Sequence, residues 1–318
     1  MKKIKEVVLS FYAGDLIVIG FALLLSLINL IFFYTIPIWY VNITINFFVI
    51  LFIYGLTYMD FHKKTIFWEQ FHYWYLIPTV FLAYKEAGEM INYVHAGKDY
   101  DYILIQIDRF IFGCDPAKVL FHITNPVLTE ILQIAYATFF FLPVIMGVDL
   151  ILTSRKRELT FGVFMVVYGF FLSYIGYFLW PAIGPRFTLF SFADTAKDLP
   201  GILTANSIRD ILNSGEGIPP GTLNPAQAVQ RDVFPSGHTQ MTLLTMYLAY
   251  KFKIRSRKFI IPDGILLIFA TVYLRYHYVV DLLGGTAFMI ITLITGKYIY
   301  NHWMRIRKEP EFDYNEIK

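Results

Sequence analysis

Long apolar runs dominate the pattern of hydrophobic and polar positions along this chain of 318 residues. A helix of about 20 predominantly apolar residues is long enough to cross a bilayer. By that criterion the chain has about eight predicted spans, near residues 15–36, 40–60, 73–93, 127–152, 160–181, 238–253, 259–276 and 278–300. The predicted fold is therefore all-α: a polytopic transmembrane helical bundle that forms a single integral membrane domain.

The composition agrees with that prediction. Hydrophobic residues make up 57% of the chain and charged residues only 16%, which is too apolar for an ordinary soluble protein. The net charge of +3 is modest, so no nucleic-acid partner is expected and the lipid bilayer is the predicted surrounding. Cys114 is the single cysteine, and no cluster has the spacing of zinc ligands, so we expect neither an intramolecular disulfide nor a metal site. The apolar stretch 16–36 is too long for a signal peptide and is read as a retained first span.

Basic residues mark one side of the predicted bundle. If the spans alternate in direction, all the basic clusters fall on the same side, which the positive-inside rule assigns to the cytoplasm. We therefore expect a multi-pass protein of the cell membrane with both termini in the cytoplasm. The clusters are Lys2, Lys3 and Lys5; Lys63 and Lys64; Arg155, Lys156 and Arg157; Lys251, Lys253, Arg255, Arg257 and Lys258; and Arg305, Arg307 and Lys308.

Two long segments, 94–126 and 182–237, fall on the external side. In the first, residues 100–113 carry isoleucines at helical spacing but are too short to span, which predicts an amphipathic helix lying in the interface. The second is rich in glycine and proline around 215–225 and is interpreted either as a structured cap or as a mobile lid. Interfacial helices on the external face thus complete the predicted fold.

The third predicted span carries an unusual charge load: Lys85, Glu86 and Glu89. Lys85 and Glu89 are four residues apart and are placed to pair on one helix face. Either this is a structural ion pair inside the bundle or at a helix end, or the charges take part in substrate binding.

Two short strings place histidines and a carboxylate at the ends of predicted spans. Residues 235–239 read Pro-Ser-Gly-His-Thr, and residues 275–281 read Arg-Tyr-His-Tyr-Val-Val-Asp. The 39 positions from His238 to His277 accommodate one crossing inward and one crossing back, so both histidines emerge on the external face. If residues 277–281 are helical, Asp281 lies on the same face as His277, where it can fix the tautomer of the imidazole. A structural pair is the alternative interpretation.

Phosphate-binding groups are predicted beside the histidines. Ser236 and Gly237 suit the start of a helix, with Ser236 as its cap and the free backbone N–H groups as an anion site. Arg186 follows the fifth span directly, so it faces the same side and can clamp phosphate oxygens. The alternatives are an ordinary capped helix and an interfacial arginine that binds lipid headgroups.

These motifs resemble those of the type 2 phosphatidic acid phosphatase superfamily. The resemblance covers roughly residues 160–300 and implies a six-helix core with a metal-independent phosphotransfer site that needs no cofactor. It implies that His277 is the nucleophile, that Asp281 supports it, that His238 is the general acid, and that Ser236 and the Gly237 N–H bind phosphate. It divides the chain into residues 1–126, with N-terminal spans and the amphipathic helix, and a catalytic core over residues 127–318.

Two positions depart from the phosphatase pattern. Thr271 stands where an arginine is usual, six residues before the nucleophilic histidine, and Leu179 stands where a lysine is usual. Together with residues 273–274 and 277–282, Thr271 is more similar to the inositol phosphorylceramide synthase branch of the superfamily. Arg275 lies one helical turn from Thr271 and is expected to supply the missing cation for phosphate.

The resulting functional hypothesis is a lipid phosphotransferase. It would move a phosphorylated headgroup between membrane lipids, in the manner of an inositolphosphotransferase of sphingolipid metabolism, through a phosphohistidine on the external face. One alternative is a lipid phosphate phosphatase, of the phosphatidate or prenyl-pyrophosphate type, that uses water as acceptor. The other is a lipid transporter or a non-catalytic membrane protein, although the candidate chemistry collects at one face rather than near the midplane.

Overall fold

The computed structural model of the chain describes residues 7–317. Within this part of the chain the structure consists of helices joined by turns and links, with no strand. The all-α prediction is therefore confirmed. The predicted basic cluster of Lys2, Lys3 and Lys5 lies outside the described residues.

The first half of the chain forms eight helices. They are α1 (Ala13–Ile31), α2 (Trp39–Lys63), α3 (Ile66–Trp74), α4 (Leu76–Val94), α5 (Asp101–Phe112), α6 (Pro116–Phe121), α7 (Pro126–Ala137) and α8 (Phe141–Leu152).

The second half contains four long helices and several short ones. They are α9 (Lys156–Leu179), α10 (Pro185–Thr188), a 3₁₀ turn (Phe192–Asp194), α11 (Thr195–Asp198), α12 (Ala205–Gly215), α13 (Pro225–Ala228), α14 (Gly237–Lys251), α15 (Arg257–Tyr273), α16 (Val279–Arg307) and a final 3₁₀ turn (Tyr314–Glu316).

Four helices in the described chain are long and apolar enough to cross a membrane: α1, α2, α9 and α16. A fifth candidate is the pair α7 and α8, which is bent by 54°. The predicted count of eight spans is not established, because α14 and α15 have only 15 and 17 residues. The charges on α4 exclude that helix from the same criterion.

The α4 charges find partners other than those predicted. Lys85 Nζ donates to the carbonyl of Gly215 at 2.6 Å rather than to Glu89. Glu86 Oε1 accepts hydrogen bonds from Asn29 and Asn46, both at 2.9 Å. These contacts connect α4 to the segment 182–237 and to the first two helices, which favours the structural interpretation of the charges.

Helix α9 is the centre of the bundle and contacts α1, α4, α8, α14 and α16. The start of α14 packs closely against the start of α16: Ser236 N donates to the carbonyl of Asp281 at 3.0 Å. A Cβ on Gly285 would lie 2.5 Å from the Ser236 carbonyl oxygen, so only glycine permits this approach. The crossing brings the two histidine strings to one end of the bundle.

Helix α5 confirms the helix predicted over residues 100–113 but turns its acidic side inward. Asp101 and Asp108 are buried, whereas large apolar side chains of the same helix are exposed. Asp108 accepts the N–H groups of Val279 and Val280 at 2.9 and 2.8 Å, at the start of α16. A carboxylate there satisfies free N–H groups and complements the helix dipole. The exposed apolar side is the one available to lipid.

The segment 182–237 folds over the same end of the bundle as a structured cap. Glu130 of α7 accepts the backbone N–H groups of Ile202, Leu203 and Thr204 at 2.8, 3.1 and 2.6 Å. Asp101 of α5 accepts those of Ile183 and Gly184 at 3.0 and 2.8 Å. Both predicted external segments therefore meet where α9 ends and α16 begins.

Candidate active site

His277 lies in the short link between α15 and α16. Helix α15 ends at Tyr273, and the chain reverses through Arg275, whose φ of +67° lies in the left-handed region. The backbone N–H groups of Tyr276 and His277 both donate to the carbonyl of Thr271 at 3.0 Å. This closed turn places the imidazole inward, and His277 is only 3% exposed.

The two ring nitrogens of His277 have different neighbours. Nδ1 lies 3.0 Å from the carbonyl oxygen of Val233, and Nε2 lies 3.5 Å from Nδ1 of His238. A carbonyl only accepts, so the neutral tautomer with its proton on Nδ1 satisfies Val233 and leaves the Nε2 lone pair free. The free nitrogen faces His238.

Asp281 approaches His277 less closely than Val233 does. Its Oδ2 lies 3.4 Å from His277 Nδ1 and accepts the backbone N–H of Tyr278 at 2.7 Å. The expected helical register between His277 and Asp281 is absent, because α16 begins only at Val279 and Asp281 caps its first turn. The structure brings the two residues together, but the closer neighbour of Nδ1 is a backbone carbonyl.

His238 occupies the first turn of α14, as expected from the Ser-Gly-His string. Ser236 is the N-cap, and its Oγ accepts the N–H of Thr239 at 3.1 Å. Thr239 and Gln240 thus have acceptors at Ser236, and the N–H of Gly237 faces the Tyr177 hydroxyl. The N–H of His238 is the remaining donor of this turn. A Cβ at Gly237 would lie 2.2 Å from the Tyr177 hydroxyl oxygen, so this position admits no side chain.

Aromatic side chains hold the His238 ring in place. Tyr136 stacks on His238 with ring centroids 4.5 Å apart, and Phe139 lies 4.2 Å away on a tilted plane. Tyr136 also stacks on Tyr276 at 4.4 Å, which connects the wall to the link that carries His277. The stack therefore runs from His238 through Tyr136 to Tyr276, the residue that precedes His277 in the link.

Arg186 lies in α10 beside the same link, and its backbone N–H donates to the carbonyl of Arg275 at 3.1 Å. Its guanidinium bonds to Asn213 Oδ1 at 3.0 Å, forms an ion pair with Glu216 and lies 4.8 Å from the Tyr276 ring centroid. The side chain is buried, and Nε has no partner in the described chain. Side-chain oxygens of Asn213 and Glu216 therefore occupy the positions around the Arg186 guanidinium that phosphate oxygens can take.

A comparison with known families matches this arrangement. The model of the PAP2 superfamily matches residues 103–295, more than half of the chain. The chain belongs to the PAP2 superfamily. Membership suggests a phosphatase or phosphotransferase of lipid phosphates. The match runs from α5 into α16 and so includes both histidine strings and Arg186. No curated protein and no solved structure matches the chain.

Asp232 and Glu216 place negative charge near His277 and Arg186 in the PAP2 site. Burial raises the pKa of Asp232 to about 6, an effect to which the charge of Glu216 adds. Burial lowers the pKa of His277 to about 4, against the opposing effect of Asp232 and Glu216. His277 is therefore neutral, and its Nε2 is available as a nucleophile, throughout the physiological range.

Asp232 predicts a pH dependence of substrate binding. Its carboxylate is ionised above about pH 6, where it repels a bound phosphate group. We expect KM for a phosphodiester lipid to rise between pH 5 and pH 7, a range in which the substrate does not titrate. Asp232→Asn should remove this rise, whereas Asp194→Asn, at an exposed carboxylate of the same segment 182–237, should retain it. Steady-state kinetics at several pH values measure the difference, and a rise that persisted in Asp232→Asn would assign it to another group.

Arg275 is not brought to the PAP2 histidines as its spacing predicted. Its Nη1 forms an ion pair with Asp198 at 2.8 Å, and its guanidinium carbon lies 3.7 Å from the centroid of the Phe190 ring. The expected shared face with Thr271 requires a continuous helix, but α15 ends at Tyr273. The polar contacts of Arg275 anchor the cap, and its phosphate-binding role stays a prediction that this geometry does not favour.

Several residues of the site carried no signal in the sequence. Glu216 and Asn213 lie in a segment read only as a cap or lid, and Tyr136 and Phe139 lie inside an apolar run. Only their folded positions beside Arg186 and His238 reveal them. In the described part of the PAP2 chain, no group of three or more His, Cys, Asp or Glu side chains is arranged to hold a metal ion.

Proposed function

We propose that the protein is a lipid phosphotransferase that works through a phosphohistidine. The observation that carries this proposal is the pairing of a neutral, buried His277 with His238 across 3.5 Å, next to Arg186 and the first turn of α14. The pair combines a nucleophile with a proton donor at an anion-binding helix start. These are the elements that phosphoryl transfer needs when positioning and electrostatics supply the catalysis.

The proposed reaction has two displacements. His277 Nε2 attacks phosphorus, the bond to the leaving oxygen breaks, and His238, which enters this step as an imidazolium, gives that oxygen a proton and becomes neutral. In the second step His238 takes the proton of the acceptor hydroxyl, the new P–O bond forms, and the P–N bond breaks. His277 and His238 thus return to their starting states.

Phosphate oxygens would be held by Arg186 and by the N–H groups of Gly237 and His238, of which the Gly237 N–H would exchange the Tyr177 hydroxyl for phosphate. Ser236 acts through the cap that shapes this turn. Asp281 would support the imidazolium character that develops on His277 as the P–N bond forms. No metal ion enters this scheme.

Arg186 must exchange Glu216 for the substrate, because the carboxylate occupies the guanidinium fork. We therefore expect Glu216→Gln to lower KM for the lipid phosphate by about three- to tenfold, since a neutral amide competes less well for Arg186. Asp210→Asn, at an exposed position of α12, which ends immediately before Glu216, is the matched control. An unchanged KM in Glu216→Gln would show that Glu216 does not compete with phosphate.

The burial of the site favours a transferase over a hydrolase. His277, Arg186 and Ser236 are 3%, 5% and 0% exposed beneath the cap, so water has restricted access to an intermediate formed there. The resemblance of Thr271 and its neighbours to the inositol phosphorylceramide synthase branch supports the same choice. We propose that the acceptor is a lipid hydroxyl of sphingolipid type.

Headgroup transfer is tested with purified protein and a phospholipid labelled in its phosphorylated headgroup. With ceramide as acceptor, we expect the label to move to ceramide while diacylglycerol is released and little free headgroup phosphate forms. Release to water alone, at the same rate with and without ceramide, would establish a phosphatase instead. Movement of lipid across vesicles without either product would favour the transporter alternative.

We propose that the site faces away from the cytoplasm and that both termini lie inside. Contacts between basic helix ends support one common face: Lys156 pairs with Glu69, Arg307 donates to Phe11, and Arg155 to Phe252. Cys114, the single cysteine, is exposed at the other end of the bundle. A membrane-impermeant maleimide added to intact cells should label Cys114, and labelling only after permeabilisation would reverse the orientation.

A further inference from the structure

A polar cavity of about 260 Å³ lies among the basic helix ends. Its wall comes from the segment before α1, the end of α2, the start of α3, the start of α9 and the end of α16. The lining residues are Ser10, Tyr12, Thr57, Asp60, Phe61, Lys64, Thr65, Glu69, Lys156 and Arg307.

The cavity is remote from the histidine site. Lys156 begins α9, whereas Arg186 and its cap follow the other end of that helix, and Arg307 ends α16, whereas His277 precedes its start. A straight helix of 24 residues such as α9 is about 35 Å long. The cavity and the histidines therefore lie at opposite ends of the same two helices.

Two buried donors at this cavity have no acceptor in the described chain. Thr57 is 0% exposed, and its Oγ1 has no hydrogen-bond partner. The Nε of Arg307 is likewise buried without a partner, while Nη1 donates to the carbonyl of Phe11 at 3.2 Å and Nη2 pairs with Glu309 at 2.7 Å. Buried polar groups are nearly always paired, and an arginine nitrogen can only donate. The group that would complete the bonding of Thr57 Oγ1 and Arg307 Nε is therefore a hydrogen-bond acceptor.

The charge of the wall points to an anionic acceptor. Lys156 is paired with Glu69 at 2.6 Å, but among residues 7–317 no carboxylate lies within ion-pair distance of Lys64. The opposing carboxylate, Asp60, is engaged by His72 Nδ1 at 2.9 Å and by the Tyr12 hydroxyl at 3.3 Å.

His72 offsets part of the negative charge of Asp60 and Asp15 because it carries a proton. Burial lowers the pKa of His72, but hydrogen bonds to Asp15 and Asp60 outweigh this effect and raise the pKa to about 9. The imidazolium lies between the two carboxylates, with Nε2 at 3.0 Å from Asp15 Oδ2. Within the described residues, Lys64 is then the cation of the wall that has no carboxylate partner, and the Nε of Arg307 is the donor that its ion pair with Glu309 leaves unused.

We propose that this cavity is an accessory site for a phosphoryl group, bound by Lys64, Thr57 and Arg307 on the membrane face opposite the histidines. Charged donors of this kind form short, strong hydrogen bonds to phosphate oxygens. Phe61 and Phe67 are exposed beside it, 38% and 65%, as expected where acyl chains flank a headgroup. An anionic phospholipid headgroup and free phosphate share the recognised chemistry.

The test is native mass spectrometry of the full chain in detergent with dioctanoyl phosphatidylglycerol. A His277→Ala background prevents turnover in all samples. We expect Lys64→Gln and Thr57→Val each to lower the amount of retained lipid about tenfold, because each removes one hydrogen bond to the charged phosphoryl group. Lys63→Gln, next in sequence but outside the cavity wall, and Thr57→Ser, which keeps the hydroxyl, should retain it.

Equal retention by Lys64→Gln and Lys63→Gln would overturn the proposal, because binding would then reflect general surface charge. Lys64 is exposed, so its variant tests the site even if Thr57→Val fails to fold. Dioctanoylglycerol, which lacks the phosphoryl group, should not be retained at this site. Displacement by inorganic phosphate supports a site for free phosphate, and lipid retained in its presence supports a headgroup site.

Discussion

Replacement of His277 by alanine is expected to lower lipid turnover by at least about 10⁴-fold, the scale of losing a catalytic nucleophile. The proposed first step forms a bond from His277 Nε2 to phosphorus, and no other imidazole occupies that position: the neighbouring His238 presents Nδ1 at 3.5 Å. The loss should appear in kcat, since Arg186 and the α14 turn, which are proposed to bind phosphate, remain. Turnover of labelled lipid by the purified variant measures it.

His122→Ala is the matched control, because His122 is an exposed histidine in the link between α6 and α7. It should leave turnover unchanged. A His277→Ala enzyme within about tenfold of the parent would remove His277 from the chemistry, and the proposed mechanism with it.

Replacement of His238 is expected to lower turnover by about 10²–10⁴-fold, the usual range for a general acid and base. The effect should depend on the leaving group, since a nitrophenyl ester of the phosphate departs without a proton. His238 variants should therefore lose much less activity on the nitrophenyl substrate than on a natural lipid. An equal loss on both substrates would argue against proton transfer by His238.

A loss of catalysis in a His238 variant has to be distinguished from a loss of stability. His238 stacks on Tyr136 and lies 4.2 Å from Phe139, so alanine also removes packing. His238→Phe keeps an aromatic ring there but transfers no proton. The phenylalanine and alanine variants should share the catalytic defect, while only alanine lowers the thermal unfolding midpoint clearly.

The parts of the fold that the sequence predicted are those governed by local pattern. Apolar runs predicted the long helices, and the cap signal at Ser236 predicted the start of α14 at Gly237. The family motifs predicted which residues collect at one end, and the PAP2 match includes them. These signals lie within a few residues of the features that they predict.

Predictions that assumed helical register across a link were less accurate. Arg275 and Asp281 were placed relative to Thr271 and His277 by a spacing of four residues. The chain instead leaves the helix after Tyr273, turns through a left-handed Arg275 and begins a new helix at Val279. The bonds from Tyr276 and His277 to the Thr271 carbonyl fix this turn, and no periodicity records them.

Contacts between distant segments could not be predicted from one sequence. Glu216 and Asn213 reach Arg186 over separations of 30 and 27 residues through a segment with no motif. Helix α5 was expected to rest on the membrane by its apolar side, but its buried acids bind the starts of distant segments as well. Such contacts depend on how the helices pack, which is a property of the whole fold.

The proposed mechanism requires a phosphorylated intermediate on His277. Rapid quenching of the enzyme with labelled lipid in the absence of acceptor, followed by peptide mass spectrometry under alkaline conditions, detects such an intermediate. We expect a base-stable phosphorylated group on the peptide that contains His277, its absence in His277→Ala, and its loss when ceramide is added. Turnover without any labelled peptide, or a label on the peptide of His238, would contradict it.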